Sequence, residues 1–319
     1  MSVGTVSNVL NRPDLVTDTT RSRVEEAMRD LNFVRNATAQ QLRVGTSLTV
    51  GAVLLDLGNP FYTDVLRGIE DRLAEQGLAL MVGSSDENPE REARFLRLFA
   101  EQGVRGILIT PSARTTEQIA MLRNLGIPCV LLDSRSEEYA SVGSDNVWGA
   151  REAVRHLLAQ GHTTIAFVNG PLHLQQCVDR LAGARQAIEE AGLDPDAALV
   201  VRHVEAMTAD EGQGALIGIL EGPGPMPSAT FCINDIVALG VMRELRLRRW
   251  EIPDRMAVVG YDDVHFAAEL MTPLTSVHQP MHDLGWTAAD MLLNGAPASE
   301  HTVFRPELIV RQSSVRASG

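Results

Sequence analysis

Residues 48–85 read LTVGAVLLDLGNPFYTDVLRGIEDRLAEQGLALMVGSS. The runs at 48–55 and 78–85 are largely apolar and short, whereas residues 61–77 between them repeat apolar side chains at helical spacing. Strands that are apolar along their whole length and alternate with helices are typical of parallel sheets covered on both faces. This stretch therefore predicts a strand, a helix and a second, parallel strand.

The same alternation continues along the chain as far as residue 262. Further apolar runs lie at 104–111, 128–133, 164–170, 198–205, 229–235 and 256–262. Two such sheets fit a chain of 319 residues better than one sheet does. The segment VGSDN (142–146) is the predicted crossing point between them.

Polar side chains follow the ends of several of these predicted strands. They are Asp56, Asp133, Asn169, Asn234, Asp235, Asp262 and Asp263. In open parallel sheets ligands bind at the carboxyl ends of the strands. Two lobes whose strand ends face each other form a cleft, so the sequence predicts a small-molecule site there.

The charge of the chain is divided unevenly. Residues 1–47 carry six Arg and five acidic residues, a net charge of +1, and the other 22 Arg and 36 acidic residues give −14. The two parts sum to the formal net charge of −13. The body should therefore repel nucleic acid, and only the first segment is suited to approach phosphates.

The residue types that are absent exclude several functions. All 28 basic residues are Arg, so P-loop, Schiff-base and Ser-x-x-Lys chemistries that need a lysine are excluded. Three widely spaced Cys indicate reduced thiols, and no run reaches the roughly 18 apolar residues of a membrane span. No secretory signal is recognisable. We expect a cytoplasmic protein with no cofactor, no metal and no membrane partner.

The first 47 residues lack the alternation of apolar strands and helices that the rest of the chain shows. Residues 1–33 read as short helices, with Thr17 as the expected N-cap of the second one. Asn32 follows that helix, at a position where the left-handed conformation is common. Residues 34–47 are polar and read as a linker that can become helical.

Several segments, taken in one order, carry a family likeness. In chain order they read SVGTVSNVLN, TRSRVEEAMRDLNF, RNATAQQLR, NPFYTDVLRGIE, GHTTIAFVNG, DRLAGARQAI, INDIVALGVM, VVGYDDV and TPLTSVHQP. Together they resemble the LacI/GalR family of bacterial transcription regulators over nearly the whole chain. The resemblance implies an α/β fold of two Rossmann-like lobes, of the periplasmic-binding-protein type, after a helical DNA-binding segment. It divides the chain into a helix-turn-helix segment (1–33), a hinge helix (34–47), a first lobe (48–145 and 278–301) and a second lobe (146–277 and 302–319).

The resemblance also makes the first residues unusual. In this family a further helix precedes the recognition helix that SVGTVSNVLN matches, and Met1 stands where the family usually has Val. We expect an internal GTG codon read as the start, a chain cut at this point, or a truncated paralogue that binds effector alone. Without its partner helix the segment should be poorly ordered and bind DNA weakly.

Carried over from the family, Val3, Gly4 and Asn8 enter the major groove of DNA. Asn8 can pair with a base edge, whereas Val3 offers only apolar contact to a thymine methyl group. The residues expected to hold phosphates are Ser2, Thr5, Ser7 and Asn11. The alternative is that Thr5 and Ser7 are ordinary surface residues of a short helix.

The stretch NATAQQLR matches the hinge helix of the family. Two copies from a dimer enter the minor groove, with Leu42 as the wedge, Ala39 as its close-packed neighbour and Asn36 near the backbone. The alternative is an unstructured linker, which becomes helical only on DNA.

Three residues match the ligand positions of the family. Arg180 presents a planar fork of donors, Asp262 accepts hydroxyl hydrogens, and Asn234 can donate and accept. The other predicted effector residues are Phe61, Tyr62, Asp133 and Trp148. A structural ion pair is the alternative for Arg180 and Asp262, and a place in the core is the alternative for Trp148.

The resemblance implies a DNA-binding regulator, of repressor type, that responds to a small-molecule effector. A homodimer is expected because operators in this family are nearly palindromic. The effector groups favour a sugar or a sugar derivative, although purine-type members share the scaffold. A solute-binding protein is the alternative, but it needs an export signal. An enzyme is disfavoured because GQGALIG (212–218) lies outside a strand-turn-helix context.

Overall fold

The structure is a computed structural model that describes residues 2–33, 47–112 and 116–315. The chain divides into two compact units between Ser47 and Leu48. We call the unit before this division the helical unit (1–47) and the unit after it the effector body (48–319).

The described part of the helical unit, residues 2–33, contains two α-helices joined by a short turn. Helix α1 (Val3–Asn11) begins at Ser2, whose hydroxyl accepts a hydrogen bond from the Thr5 amide at 3.2 Å. Helix α2 (Asp18–Asp30) begins after Thr17, whose side chain makes no capping hydrogen bond. As predicted, Asn32 adopts the left-handed conformation, with φ of 45°.

The effector body contains twelve strands and nine helices within the described residues. The strands are β1 (Thr49–Leu54), β2 (Ala79–Ser84), β3 (Ile107–Ile109), β4 (Cys129–Leu132), β5 (Ala140–Ser144), β6 (Ile165–Asn169), β7 (Leu199–His203), β8 (Ala229–Cys232), β9 (Ala257–Asp262), β10 (Thr275–His278), β11 (His301–Phe304) and β12 (Glu307–Ile309). The helices are α3 (Pro60–Ala74), α4 (Pro89–Glu101), α5 (Thr116–Asn124), α6 (Asn146–Ala159), α7 (Gln175–Glu190), α8 (Pro195–Ala198), α9 (Ala209–Glu221), α10 (Asp235–Leu247) and α11 (Met281–Asn294).

These strands form two six-stranded sheets, one in each lobe. The first sheet has the order β11-β5-β4-β3-β1-β2 and is parallel throughout. The second has the order β12-β10-β9-β8-β6-β7 and is parallel except for β12, which runs antiparallel to β10. The predicted fold class of two parallel-sheet α/β lobes is therefore confirmed.

Strand β1 shows why the strands are apolar along their whole length. Val50 and Leu54 pack into one core, whereas Val53 packs into a second core with Leu96 and Phe99. Successive side chains of a strand point to opposite faces of the sheet, so a sheet covered on both sides needs apolar residues at every position. That requirement produces the runs from which the strands were predicted.

In the described residues three segments cross between the lobes. Two of these crossings lie a few residues away from the predicted lobe bounds. The crossings are β5 to α6, β10 to α11 and β11 to β12. His278 lies in the second sheet, opposite Asp262, although the predicted bound placed it in the first lobe. Thr302 pairs with Val142, so residues 302–304 belong to the first sheet rather than the second.

Helix α11 packs closely on α3 after the chain returns to the first lobe. Gly68 of α3 faces the His282 carbonyl, and Gly285 of α11 faces the Val65 carbonyl. A Cβ at either glycine would collide with that backbone. The two glycines therefore let the helices approach closely and fix the first-lobe wall of the cleft.

Candidate functional site: a cleft between two lobes

The carboxyl ends of the two sheets face each other across a cleft. Its lining comes from both lobes and consists of Asp56, Asn59, Phe61, Tyr62, Glu87, Asp133, Gln176, Arg180, Met207, Asn234, Asp262 and Gln279. Six of the seven predicted effector residues are in this set. This is where the strand-end rule for parallel sheets places a ligand.

Arg180 of α7 is the centre of the polar network. It is 4% exposed, and its guanidinium lies 3.5 Å from the Tyr261 ring centroid. Nε donates to Asn146 Oδ1 at 2.8 Å and Nη1 donates to the Ile233 carbonyl at 2.5 Å. Three protein contacts therefore fix the plane of the guanidinium, with Nη2 directed toward Asp262 at 3.9 Å.

Asp262 joins the lobes at the end of β9. Its Oδ2 accepts from Asn59 Nδ2 of the first lobe at 3.2 Å, and its Oδ1 accepts from Gln279 Nε2 at 2.9 Å. Burial raises the pKa of Asp262 to about 6, although Arg180 and these two amides lower it. The residue has φ of 104°, which non-glycine residues rarely adopt. Such strain is often found at binding sites, where surrounding contacts hold the backbone in place.

Asn146 extends the network to Asp133. Its Nδ2 donates to Asp133 Oδ1 at 3.0 Å, while its Oδ1 accepts from Arg180. Asn146 is the first residue of α6, directly after the β5 crossing, so it links a first-lobe carboxylate to a second-lobe guanidinium. The network therefore continues from Asp133 through Asn146 and Arg180 to Asp262.

Two aromatic residues lie in the first turn of α3. Phe61 and Tyr62 are each 5% exposed and their rings meet edge to face, with centroids 5.0 Å apart. Asn59 caps this helix, because its Oδ1 accepts from the Phe61 amide at 3.0 Å. Burial raises the pKa of Tyr62 well above its ordinary value, so its hydroxyl remains protonated. The pair provides an apolar wall beside the polar network.

Asn234 lies after β8 and caps α10. Its Oδ1 accepts from the Val237 amide at 2.9 Å, which leaves its amide nitrogen to donate into the cleft. The prediction that Asn234 both donates and accepts toward a ligand stays a prediction, because the helix uses one of the two lone pairs of the oxygen.

Trp148 does not lie with the other predicted effector residues. Its ring stacks under the Arg305 guanidinium at 3.6 Å and also contacts Arg151 at 5.1 Å. Trp148 and Arg305 line a separate groove with Pro306, on the side where α6 packs against β12. Helix α6 starts at Asn146, so Asn146 reaches the cleft while Trp148, two residues later, faces this groove.

Sequence reasoning missed several cleft residues. Asn59 and Gln279 are amides within motifs that were quoted for other residues, whereas Gln176 lies between two quoted segments. Asn146 ends the predicted crossing point and joins the cleft through Arg180. Met207 and Glu87 come from irregular connections, where no periodicity helps. The one available signal was position, because Glu87 follows a predicted strand end as Asp56 and Asp133 do.

The predicted DNA-contacting residues are arranged along α1. The exposed ones are Ser2, Val3, Gly4 and Asn8, and the partly buried ones are Thr5 and Ser7. Ser2 uses its hydroxyl to cap the helix and contacts the Thr5 hydroxyl at 2.9 Å. Asn11 ends the helix. The predicted hinge residues Asn36, Ala39 and Leu42 lie outside the described residues.

Two negative results concern the described parts of the chain only. No group of three or more His, Cys, Asp or Glu side chains there is placed to hold a metal ion. No helix among them is long and apolar enough to cross a membrane.

Comparison with known proteins defines the class. The profile of the bacterial regulatory proteins, lacI family, matches residues 1–36, and that of the periplasmic binding protein-like domain matches residues 154–314. The HTH-type transcriptional repressor PurR of Vibrio cholerae serotype O1 is 33% identical, covering 98% of this chain and 94% of the relative.

Solved structures agree with this class. The lac repressor dimer bound to operator and the anti-inducer ONPF superposes with a TM-score of 0.85 at 27% identity, covering 99% of this chain and 96% of that one. A LacI family regulator from Enterococcus faecium with bound ribose has a TM-score of 0.76 at 27% identity, covering 85% of this chain and 100% of that one.

A two-lobed effector body joined to a helix-turn-helix segment defines a ligand-responsive transcription regulator. The chain belongs to the lacI family of bacterial regulatory proteins. Its relatives are transcriptional repressors, so the chain is a regulator of repressor type and not an enzyme.

Proposed function

We propose that this protein represses transcription under the control of a sugar or sugar derivative bound between its lobes. The observation that carries the proposal is the buried network from Asp133 through Asn146 and Arg180 to Asp262, which joins both lobes at one point. A molecule in this cleft contacts both walls and so favours one angle between them. It can shift the equilibrium between two lobe angles only by its differential affinity for them.

The chemistry of the cleft supports a hydroxyl-rich effector. The carboxylates accept hydrogen bonds and the carboxamides accept and donate them, as hydroxyl groups require, and an aromatic wall of Phe61 and Tyr62 can lie against a sugar face. In the described part of this lining four carboxylates face a single Arg, which disfavours an anionic ligand such as a sugar phosphate. The ribose-bound relative shows the same fold holding a sugar.

The DNA-contacting role belongs to helix α1. Val3, Gly4 and Asn8 are exposed residues of this helix, so they are available to base edges. Asn8 is the residue that can read a base by paired hydrogen bonds. The hinge residues Asn36, Ala39 and Leu42 would add the minor-groove contact implied by the family.

A homodimer completes the proposal, since a near-palindromic operator needs two equivalent helices. The effector body exposes an apolar groove at the end of α10. Its apolar lining is Leu239, Met242, Trp250, Ile252, Leu270 and Met271. Met271 is 92% exposed, so a second copy of this chain is the occupant that the groove fits. Met271→Asp should shift sedimentation toward the monomer, and an unchanged dimer would place the interface elsewhere.

A thermal-shift screen tests the effector class. The full chain is mixed separately with D-ribose, D-glucose, cellobiose, D-ribose 5-phosphate and hypoxanthine. A sugar should raise the melting temperature, because ligand binding to the folded state stabilises it by mass action. A rise with hypoxanthine and with none of the sugars would overturn the sugar assignment.

A further inference from the structure

Two buried acceptor atoms in the cleft have no hydrogen-bond partner among the residues that the structure describes. Gln279 is 1% exposed, and its Nε2 must face Asp262 because a carboxylate only accepts. The amide orientation is therefore fixed, and Gln279 Oε1 is left buried without a partner. Glu87 Oε2 is also buried without a partner. A buried polar atom without a partner is costly, so both atoms indicate a ligand that donates hydrogen bonds.

The charges near Glu87 indicate what kind of donor belongs there. The charged groups that act on it are the carboxylates of Asp56 and Asp86, whereas Arg180 acts on Asp262 and Tyr62. Asp86 is already paired with Arg91. Burial, with these acids, raises the pKa of Glu87 to about 7, and a hydrogen bond from the Met207 backbone partly offsets the rise.

The cleft as a whole also contains more carboxylates than cationic groups among its described residues. Among the residues that the structure describes, Asp56, Glu87, Asp133 and Asp262 face one guanidinium, that of Arg180. Arg180 donates to Asn146 and the Ile233 carbonyl, and its Nη2 is directed toward Asp262. The charges that act on Glu87 are those of Asp56 and Asp86, so Arg180 does not balance that end of the cleft. Bringing carboxylates together away from water is unfavourable unless a cation compensates them.

We propose that the effector carries a protonated amine beside its hydroxyl groups, as an amino sugar does, and that Glu87 with Asp56 binds this ammonium. A hydroxyl of the same ligand then donates to Gln279 Oε1. This inference deepens the proposed function and rests on it, because it names the kind of sugar derivative. Glu87 is thereby a specificity-determining residue that selects the amine over a hydroxyl.

Matched pairs of ligands provide the test. The full chain is titrated calorimetrically at pH 7 with D-glucosamine against D-glucose, and with D-galactosamine against D-galactose. N-acetyl-D-glucosamine serves as an aminated sugar without the charge. In at least one pair the amine should bind about tenfold more tightly than its neutral counterpart, since a charge-assisted hydrogen bond is roughly twice as strong as a neutral one.

Variants locate the effect at Glu87. Glu87→Gln should reduce the affinity for the amine by about tenfold and leave the neutral sugar within twofold of wild type. Asp56→Asn, which keeps the oxygen that accepts from the Gly58 amide at 2.7 Å, should act in the same direction. Glu90→Gln is the matched control, because Glu90 is exposed at the start of α4 and outside the cleft.

The outcomes separate the two proposals. If a neutral sugar binds as tightly as its amine, or if Glu87→Gln and Asp56→Asn lower both affinities equally, the amine assignment is overturned and the sugar effector stands. If neither amines nor neutral sugars bind, both proposals are overturned.

Discussion

The helical unit and the effector body bury their apolar residues very differently. In the helical unit Val3, Leu15 and Leu31 are 87%, 69% and 77% exposed. In the body the rings of Phe167 and Phe231 are fully buried and stack with centroids 4.6 Å apart. Helices gain most of their stability from packing of an apolar face, so the body carries its own stability and the helical unit offers a surface.

The largest effect that tests this difference is on unfolding of the body. Phe167→Ala should lower the free energy of unfolding by about 3–5 kcal/mol, because it leaves a cavity against Phe231. Urea denaturation followed by circular dichroism measures it. Phe33→Ala in the helical unit is the control and should change stability by less than about 0.5 kcal/mol, since Phe33 is 49% exposed. Equal losses in the two variants would contradict the comparison.

The next effect separates the cleft from the rest of the body. Arg180→Met should cost about 3 kcal/mol, because it leaves Asp262 buried without its cation, and it should abolish ligand binding. Arg185→Met on the same helix is the control, since Arg185 pairs only with the exposed Asp196. Urea denaturation measures the stability of both variants, and a ligand titration measures their affinity. Retained binding in Arg180→Met would remove Arg180 from the site.

The pH dependence tests the charge imbalance of the cleft. Burial raises the pKa of Asp262 from 3.8 to about 6 and that of Glu87 from 4.5 to about 7. The folded protein therefore holds protons that the unfolded chain releases, so their contribution to stability is full below about pH 4 and is lost as the pH rises to 7.

Between these limits the free energy of unfolding should fall by at most about 5 kcal/mol on account of these two groups, since each unit by which a pKa is raised corresponds to about 1.4 kcal/mol. Glu87→Gln should flatten the curve in its upper part, between about pH 5 and 7, in urea denaturation measured at half-unit steps. A variant curve parallel to that of wild type would mean that Glu87 does not titrate in this range.

The smallest effect on stability is expected for the predicted DNA-contacting residues of α1. Asn8→Ala should change the free energy of unfolding by less than about 0.5 kcal/mol, because Asn8 is exposed. The same substitution should weaken binding to an operator selected from a random DNA library by about 1–3 kcal/mol. Equal binding of the variant and the wild type, by fluorescence anisotropy, would remove Asn8 from base reading.

Most of the fold was predictable because burial on both faces leaves a strong record in a strand. Each of the eight apolar runs contains an observed strand, from β1 to β9 with β5 omitted. The missed strands are short and mixed in polarity. Strand β11 (HTVF) and strand β12 (ELI) lie at sheet edges, where each pairs with one neighbouring strand only. None of their residues is buried, so neither strand needs a continuous apolar run.

The site was predictable where a motif or a strand end pointed to it, as for Arg180 and Asp262. It was not predictable where a residue acts through a partner that is distant in the chain. Asn59 reaches Asp262 across 203 positions of sequence. Trp148 shows the reverse case, since its place after a crossing suggested the cleft, but the helix directs its ring to Arg305. Directions of this kind depend on tertiary packing that no local pattern records.

The central claim is that a ligand held by the body changes how the helical unit binds DNA. Fluorescence anisotropy of the selected operator with the full chain, with and without the ligand that raises its melting temperature, tests it directly. The account predicts a change in apparent Kd of at least about fivefold, the usual lower bound of an allosteric coupling, and its absence in Arg180→Met. An operator affinity that the ligand leaves unchanged in the wild-type protein would contradict the account.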